Sequence, residues 1–165
     1  MGTFAVQLAK AYGAEVTGVC STSKTDLVRS IGADHVIDYT REDFADGRNR
    51  YDVILDIAGN RSLSHLRRAL AREGTLVIVG GEGGGRWLGG IDRQLREQVA
   101  SPFVRQKLGT LIATARKEDL EELHELVEAG RVTPAVDRTF PLSEVPEAIR
   151  YMRKGQARGK VVITV

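Results

Sequence analysis

Strand-sized apolar runs recur along this chain with helical segments between them, and that alternation restricts the fold more than any single residue does. Val16 to Cys20, His35 to Tyr39, Tyr51 to Ala58 (YDVILDIA), Thr75 to Val79 (TLVIV), Lys107 to Ala113 and Lys160 to Val165 read as strands. Phe4, Leu8 and Tyr12 fall four apart with Ala5 and Ala9 beside them, the stripe of a helix with one buried face over Gly2 to Tyr12, stopped by Gly13. Ser23 with Asp26 offers a capping box for a helix running to Ile31 and ending at Gly32. Short helices are predicted around Arg41 to Phe44 and over Leu63 to Leu70. A charged helix with Leu120, Leu123, Leu126 and Val127 on one side spans Glu118 to Ala129, ended by Gly130. Another lies within Pro141 to Met152, with Ser143 as N-cap and Pro146 in its first turn. Parallel neighbours cannot be joined by tight turns, so strands alternating with helices predict an α/β fold, a doubly wound parallel sheet with crossover helices.

Composition narrows the function classes. A chain of 165 residues, 42% hydrophobic and 28% charged, has the balance of a globular domain with a core. Its apolar runs are far shorter than the roughly 20 residues of a membrane helix, and Met1 to Lys10 shows no secretory signal. The expected location is therefore the cytoplasm, with no membrane partner. Cys20 is the single cysteine, which reads as a small core hydrophobe and fits a reducing compartment. With one Cys and with His35, His65 and His124 far apart, no zinc-ligand spacing is present. The net charge is +2, and Arg61, Arg67, Arg68 and Arg72 read as the solvated face of a helix more than as a nucleic-acid stripe, so no nucleic-acid partner is expected.

GTFAVQLAKAYGAEVTGVC at Gly2 to Cys20 resembles the medium-chain dehydrogenase/reductase superfamily just after its first strand. The likeness continues through LVRSIGADHVIDY, YDVILDIAG and REGTLVIVGG, and through AGRVTPAVDRTFPLSEVPEAIRYMRKGQARGKVVITV at the end. It covers nearly every residue and is greatest to the quinone oxidoreductase-like branch, although zinc-containing alcohol dehydrogenases share the same carboxyl half. The resemblance implies a Rossmann-like, NAD(P)-binding fold. Residues 1–115 would be the dinucleotide-binding domain, truncated at its amino terminus, and residues 116–165 a segment that packs on the catalytic lobe. It also implies that the chain starts inside a glycine-rich AxGGVG turn of which Gly2 remains, without the first strand and the amino-terminal lobe, through either an internal start or a true truncation. No catalytic residue is nominated.

Several residues follow as candidates for holding the cofactor. An acid at the end of the second strand would bind an adenosine ribose 2′-hydroxyl; this sequence has Ser21, Thr22, Ser23 and Lys24 there, hydroxyls and a cation that suit a 2′-phosphate. The competing reading leaves Ser23 as a helix cap and Lys24 in water. NADP is thus expected ahead of NAD. The resemblance puts Tyr39 near the adenine or its phosphate, or else at the rim, and Lys160 near the pyrophosphate, or else merely exposed before the last strand. Gly59, Gly80 and Gly81 stand past strand ends, where open α/β sheets bind ligands, unless they are ordinary turns. Arg86 and Trp87, in the loop GGEGGGRWLGG, line a nicotinamide pocket or cover a surface patch.

The implied parent transfers hydride between NADPH and a quinone, enal, ketone or alcohol. The alternative is a non-catalytic dinucleotide-binding or assembly module. A methyltransferase-like domain is disfavoured, since the second strand lacks the acid that would hold adenosine hydroxyls. In the strand order 3-2-1-4-5-6, loss of strand 1 leaves unpaired inner edges on strands 2 and 4. These are expected to pair with each other or with another chain, giving a homo-oligomer.

Overall fold

The computed structural model describes residues 1–57, 61–79, 105–110, 114 and 116–165. Their elements are α1 (Gly2–Ala11), β1 (Thr17–Cys20), α2 (Thr25–Ser30), β2 (His35–Asp38), β3 (Tyr51–Asp56), α3 (Leu63–Ala69), β4 (Leu70–Ile78), β5 (Lys107–Thr110), α4 (Lys117–Glu128), β6 (Val136–Pro141), α5 (Val145–Arg153) and β7 (Lys160–Thr164). Among the described residues every strand pair is parallel, as the alternation requires. The ladders are β1-β2, β3-β4-β5 and β6-β7. Among the described residues, β1 and β3 belong to separate ladders.

The chain divides into two compact units, Met1–Glu42 with Arg116–Val165, and Asp43–Ala115. In the second, Leu66, Leu70, Leu76 and Ile78 form a core against which Phe44, Ile54, Leu63 and Leu108 pack. Leu76 is wholly buried, a burial that contributes about 1.5 to 3 kcal/mol per such side chain. Ser62 caps α3 by accepting the His65 amide at 3.3 Å. Among the described residues, no helix is long and apolar enough to cross a membrane.

Polar ties close the first unit, from α1 to the carboxyl-terminal segment. Gln7, 8% exposed on α1, donates to the Thr133 carbonyl at 2.9 Å and accepts the Thr133 amide at 2.7 Å. Tyr12 donates to Glu122 at 2.6 Å, and the Arg131 guanidinium donates to the Ala11 carbonyl. Lys10 meets both Asp34 oxygens at 2.8 and 2.9 Å, while Asp34 also accepts the Val16 amide. The Lys10 bond, first, and the Val16 amide hold the Asp34 carboxyl below its ordinary range.

Helix and strand ends depart from expectation where polar side chains compete with the backbone. No helix forms at 41–44: Asp43 takes the Ala45 amide at 3.0 Å and Asp46 the Arg48 amide at 2.9 Å, turns that draw these N–H groups away from a helical ladder. The Ser23 capping box is also absent. A 3-10 turn, Thr22–Lys24, precedes α2, so the cap position passes to Lys24, whose side chain has no acceptor. A second 3-10 turn, Leu142–Glu144, likewise shifts the start of α5 and leaves Ser143 without the cap role, though Pro146 does sit in the first helical turn. β6 is a strand not anticipated from the sequence. Its Asp137 accepts the Tyr151 hydroxyl at 2.7 Å and the Arg158 amide at 3.0 Å, and Arg138 lies 4.7 Å from the Tyr151 ring centre.

Gln7→Ala removes both partners of the Thr133 peptide groups. Thr133 is exposed, so what is lost is the net worth of the two bonds, about 0.5 to 1.5 kcal/mol each, and the urea midpoint should fall modestly below that of the parent chain. An unchanged midpoint would show that water replaces the carboxamide without loss.

Candidate functional site

Lys160 reaches the start of α1 because of how β7 begins. A Cβ at Gly159 would stand 2.2 Å from the Ala135 carbonyl oxygen, so only glycine permits that approach. The next amide, from Lys160, donates to the same oxygen at 2.7 Å, and the Val136 to Lys160 pair opens the β6-β7 ladder. From there the Lys160 ammonium lies 4.8 Å from the centre of the Phe4 ring, in the first turn of α1. It also borders the Met1 amine, whose pKa is lowered by burial first and by the Lys160 charge second.

The first amides of a helix have no intrahelical acceptor and carry the positive end of its dipole. Phe4 and Ala5 amides donate to the Met1 carbonyl at 3.0 and 3.1 Å. Space around Gly2 is open, with nothing within 4 Å of where a Cβ would stand. Gly2 and Lys160, far apart in sequence, therefore converge on one positive corner that suits an anion such as a pyrophosphate. The residues present fit a dinucleotide in charge and in clearance.

At the tip of β1 the four candidates divide into bound and available groups. Thr22 donates to Asp38, at the end of β2, and lies 3.2 Å from the Thr40 hydroxyl. Asp38 is 7% exposed and also accepts the Thr40 amide at 3.0 Å and the Thr40 hydroxyl at 2.7 Å, with Arg41 at 3.6 Å. The Thr22 bond, then the Thr40 bond, holds its carboxyl below the ordinary range, against the opposing effect of burial. Sequence reasoning missed Asp38. An acid does stand beside this tip, brought from β2, but its oxygens are filled by Thr22, Thr40 and Arg41 rather than presented to a ligand. Its signal in the sequence was slight: an aspartate closing a short strand, with a threonine two places on.

Ser21 and Ser23 hydroxyls lie 3.5 Å apart near the surface, and Lys24 follows them. Tyr39, directly after Asp38, is 43% exposed, and its amide donates to the Cys20 carbonyl at 3.1 Å, which holds it beside the same tip. Burial raises the Cys20 thiol pKa, followed by the Asp38 charge, as suits a packing residue. Gly59, Gly80, Gly81, Arg86 and Trp87 lie outside the described residues. Among the described residues, no three His, Cys, Asp or Glu side chains are grouped so as to hold a metal ion.

The sequence and the fold both resemble known proteins. The chain is 36% identical over its full length to the mitochondrial NAD(P)H oxidoreductase RTN4IP1 of Mus musculus, covering 45% of that protein. It is 34% identical, over 99% of its length, to the chloroplastic NADPH-dependent alkenal/one oxidoreductase of Arabidopsis thaliana, covering 37% of it. The chain thus spans less than half the length of these relatives. Its fold superposes on the quinone oxidoreductase from Coxiella burnetii with a TM-score of 0.77 at 26% identity, covering 99% of this chain and 49% of that one. The parallel α/β architecture is that of the Rossmann-like dehydrogenases. A family model described as zinc-binding dehydrogenase matches residues 31–163, and the chain therefore belongs to that family, within the medium-chain dehydrogenase/reductase superfamily.

Proposed function

We propose that this chain is the cofactor-holding portion of an NADPH-dependent oxidoreductase acting on a quinone, enal, ketone or alcohol. The observation that carries this reading is the convergence of Lys160 on the open amino-terminal end of α1. Bound there, the nicotinamide cofactor supplies or accepts hydride. The chain's own residues bind and orient: the first α1 amides and Lys160 take the pyrophosphate, Ser21 and Lys24 the adenosine 2′-phosphate, and Tyr39 flanks the adenine. Thr22 acts indirectly, pinned by Asp38 so that the turn after β1 keeps its shape.

Preference for NADPH over NADH follows from the chemistry of that turn. Ser21 and Lys24 attract a phosphate dianion, while the Asp38 carboxylate beside them is already satisfied by its neighbours. Self-association belongs to the same proposal. Val19 on β1 is 44% exposed, and Val53 and Leu55 on β3 are 59% and 47% exposed, on strands that pair on one side only among the described residues.

Titration of NADPH and NADH, followed by nicotinamide fluorescence, tests the site. Lys160→Gln should weaken both cofactors by about tenfold, some 1.4 kcal/mol, whereas Ser21→Ala with Lys24→Gln should weaken NADPH alone. Equal loss of both in the second variant would remove the 2′-phosphate assignment, and no loss in the first would remove the pyrophosphate site.

Asp38 yields a pH test. Its folded pKa is depressed, so its stabilisation is complete above the ordinary aspartate value of about 3.9 and is lost as pH falls through the folded value. Asp38→Asn should therefore be less stable than the parent at neutral pH in urea, with the gap closing below about pH 4. A gap that is the same at every pH would contradict this. Sedimentation velocity at micromolar chain should give a dimer or larger species; a single monomer boundary would remove the self-association.

A further inference from the structure

Within the unit Asp43–Ala115 lies a cavity of about 460 Å³ lined by Ser64, Arg67, Arg68, Arg72, Arg105 and Gln106. We infer that it is a binding site for a small polyphosphate-bearing anion, separate from the cofactor corner formed by α1 and Lys160. Four guanidinium groups border one cavity, with the Asp43 carboxylate, which meets His65 at 2.9 Å, near Arg68 alone. Arg29, Arg41, Arg48, Arg116 and Arg150, by comparison, each face an Asp or Glu three residues or fewer away. The cavity is thus a place where four positive charges have been gathered with one carboxylate close to one of them.

Side-chain and carbonyl contacts order two of the guanidinium groups, those of Arg67 and Arg68. Arg67 Nε donates to Gln106 Oε1 at 3.0 Å, and Gln106 Nε2 donates to the Arg67 carbonyl at 3.1 Å and to the Ala71 carbonyl at 3.3 Å. Arg68 Nη2 lies 2.9 Å from His65 Nδ1. Arg67 and Arg68 stand in the last turn of α3, where the negative end of the helix dipole favours cations. That dipole amounts to roughly half a charge and cannot balance four guanidinium groups. Arg72 and Arg105 lie beyond the helix altogether, on β4 and just before β5.

Position separates this cavity from a dehydrogenase cofactor site. Arg72 is close to the start of β4, and Arg105 and Gln106 immediately precede β5, so the cavity belongs to the amino-terminal ends of two parallel strands. Open parallel sheets take their cofactors at the other, carboxyl-terminal, ends. The ligand class follows from the lining. Guanidinium forks match phosphate oxygens two at a time, Ser64 adds a hydroxyl donor, and the volume falls in the range of about 300 to 1,000 Å³ typical of small-molecule pockets. A single inorganic ion would leave most of that volume and charge unused.

Calorimetric titration of the full chain with tripolyphosphate tests the assignment, with ATP and a single-stranded oligonucleotide as further arms. Tripolyphosphate should bind, and Arg72→Gln with Arg105→Gln should weaken it at least tenfold. Arg72→Lys with Arg105→Lys should lie between, since charge remains while the fork is lost. NADPH binding, read by nicotinamide fluorescence in the same variants, should not change, so failure here and failure of the cofactor reading are distinguishable. Tighter ATP than tripolyphosphate binding, lost in the same Gln variant, would identify a nucleotide as the form of the anion. The inference is overturned by undetectable tripolyphosphate binding or by equal affinity in the parent and the Gln variant. It is also overturned if affinity is lost only in Lys160→Gln, or if the oligonucleotide outcompetes both anions.

Discussion

The two hydrogen bonds between the Gln7 carboxamide and the Thr133 peptide groups join residues 126 apart in sequence, and the candidate site depends on that closure. Isolated helices as short as α1 are marginal in water, so α1 gains its stability from what it docks against. Gln7, Lys10 and Tyr12 supply the docking through Thr133, Asp34 and Glu122. Once α1 is held beside the segment leading into β6, the close approach of Gly159 to Ala135 directs β7 so that Lys160 stands at the helix start. An amide end and an ammonium group thereby share one corner.

A comparable closure shapes the turn after β1. The parallel register sets Cys20 opposite Asp38, which brings the aspartate beside the first residues of the turn. Its two oxygens then collect Thr22, Thr40 and Arg41, and a carboxylate that could have repelled a phosphate becomes the anchor for the turn. Exposed pairs of this kind add little to stability one at a time, whereas a network around a nearly buried carboxylate fixes geometry. Ser21 and Lys24 are left as the groups open to a ligand.

Arginine is handled differently at different places in the chain. Where arginines follow acids closely in sequence, as at Asp26 and Arg29 or Glu147 and Arg150, they pair locally on a helix and leave little net field. On α3 and the strands next to it, the nearby partners of the cavity arginines are a glutamine and a histidine. Both order a guanidinium, and the histidine in turn meets the Asp43 carboxylate at 2.9 Å. Similar residue types thus give a solvated helical face in one place and a basic cavity in the other.

The sequence by itself determined the parallel α/β class, because period-2 and period-3.6 segments alternate at spacings that only crossover connections satisfy. It also fixed helix stops at Gly13 and Gly32, whose φ values of 81° and 103° other residues rarely adopt. It nominated Ser21 and Lys24 by their chemistry at a strand end, and Gly2, Tyr39 and Lys160 through resemblance, before any geometry joined them. Tertiary structure alone decided that Lys160 lies over Phe4 in the first turn of α1 and that Thr22 is committed to Asp38. It also made VDRTFP a strand, although only Val136 and Phe140 give that segment apolar character. The physical reason is common to all three: each depends on a contact between residues distant in the chain, and local propensity and periodicity carry no information about which distant backbone or carboxylate will be the partner.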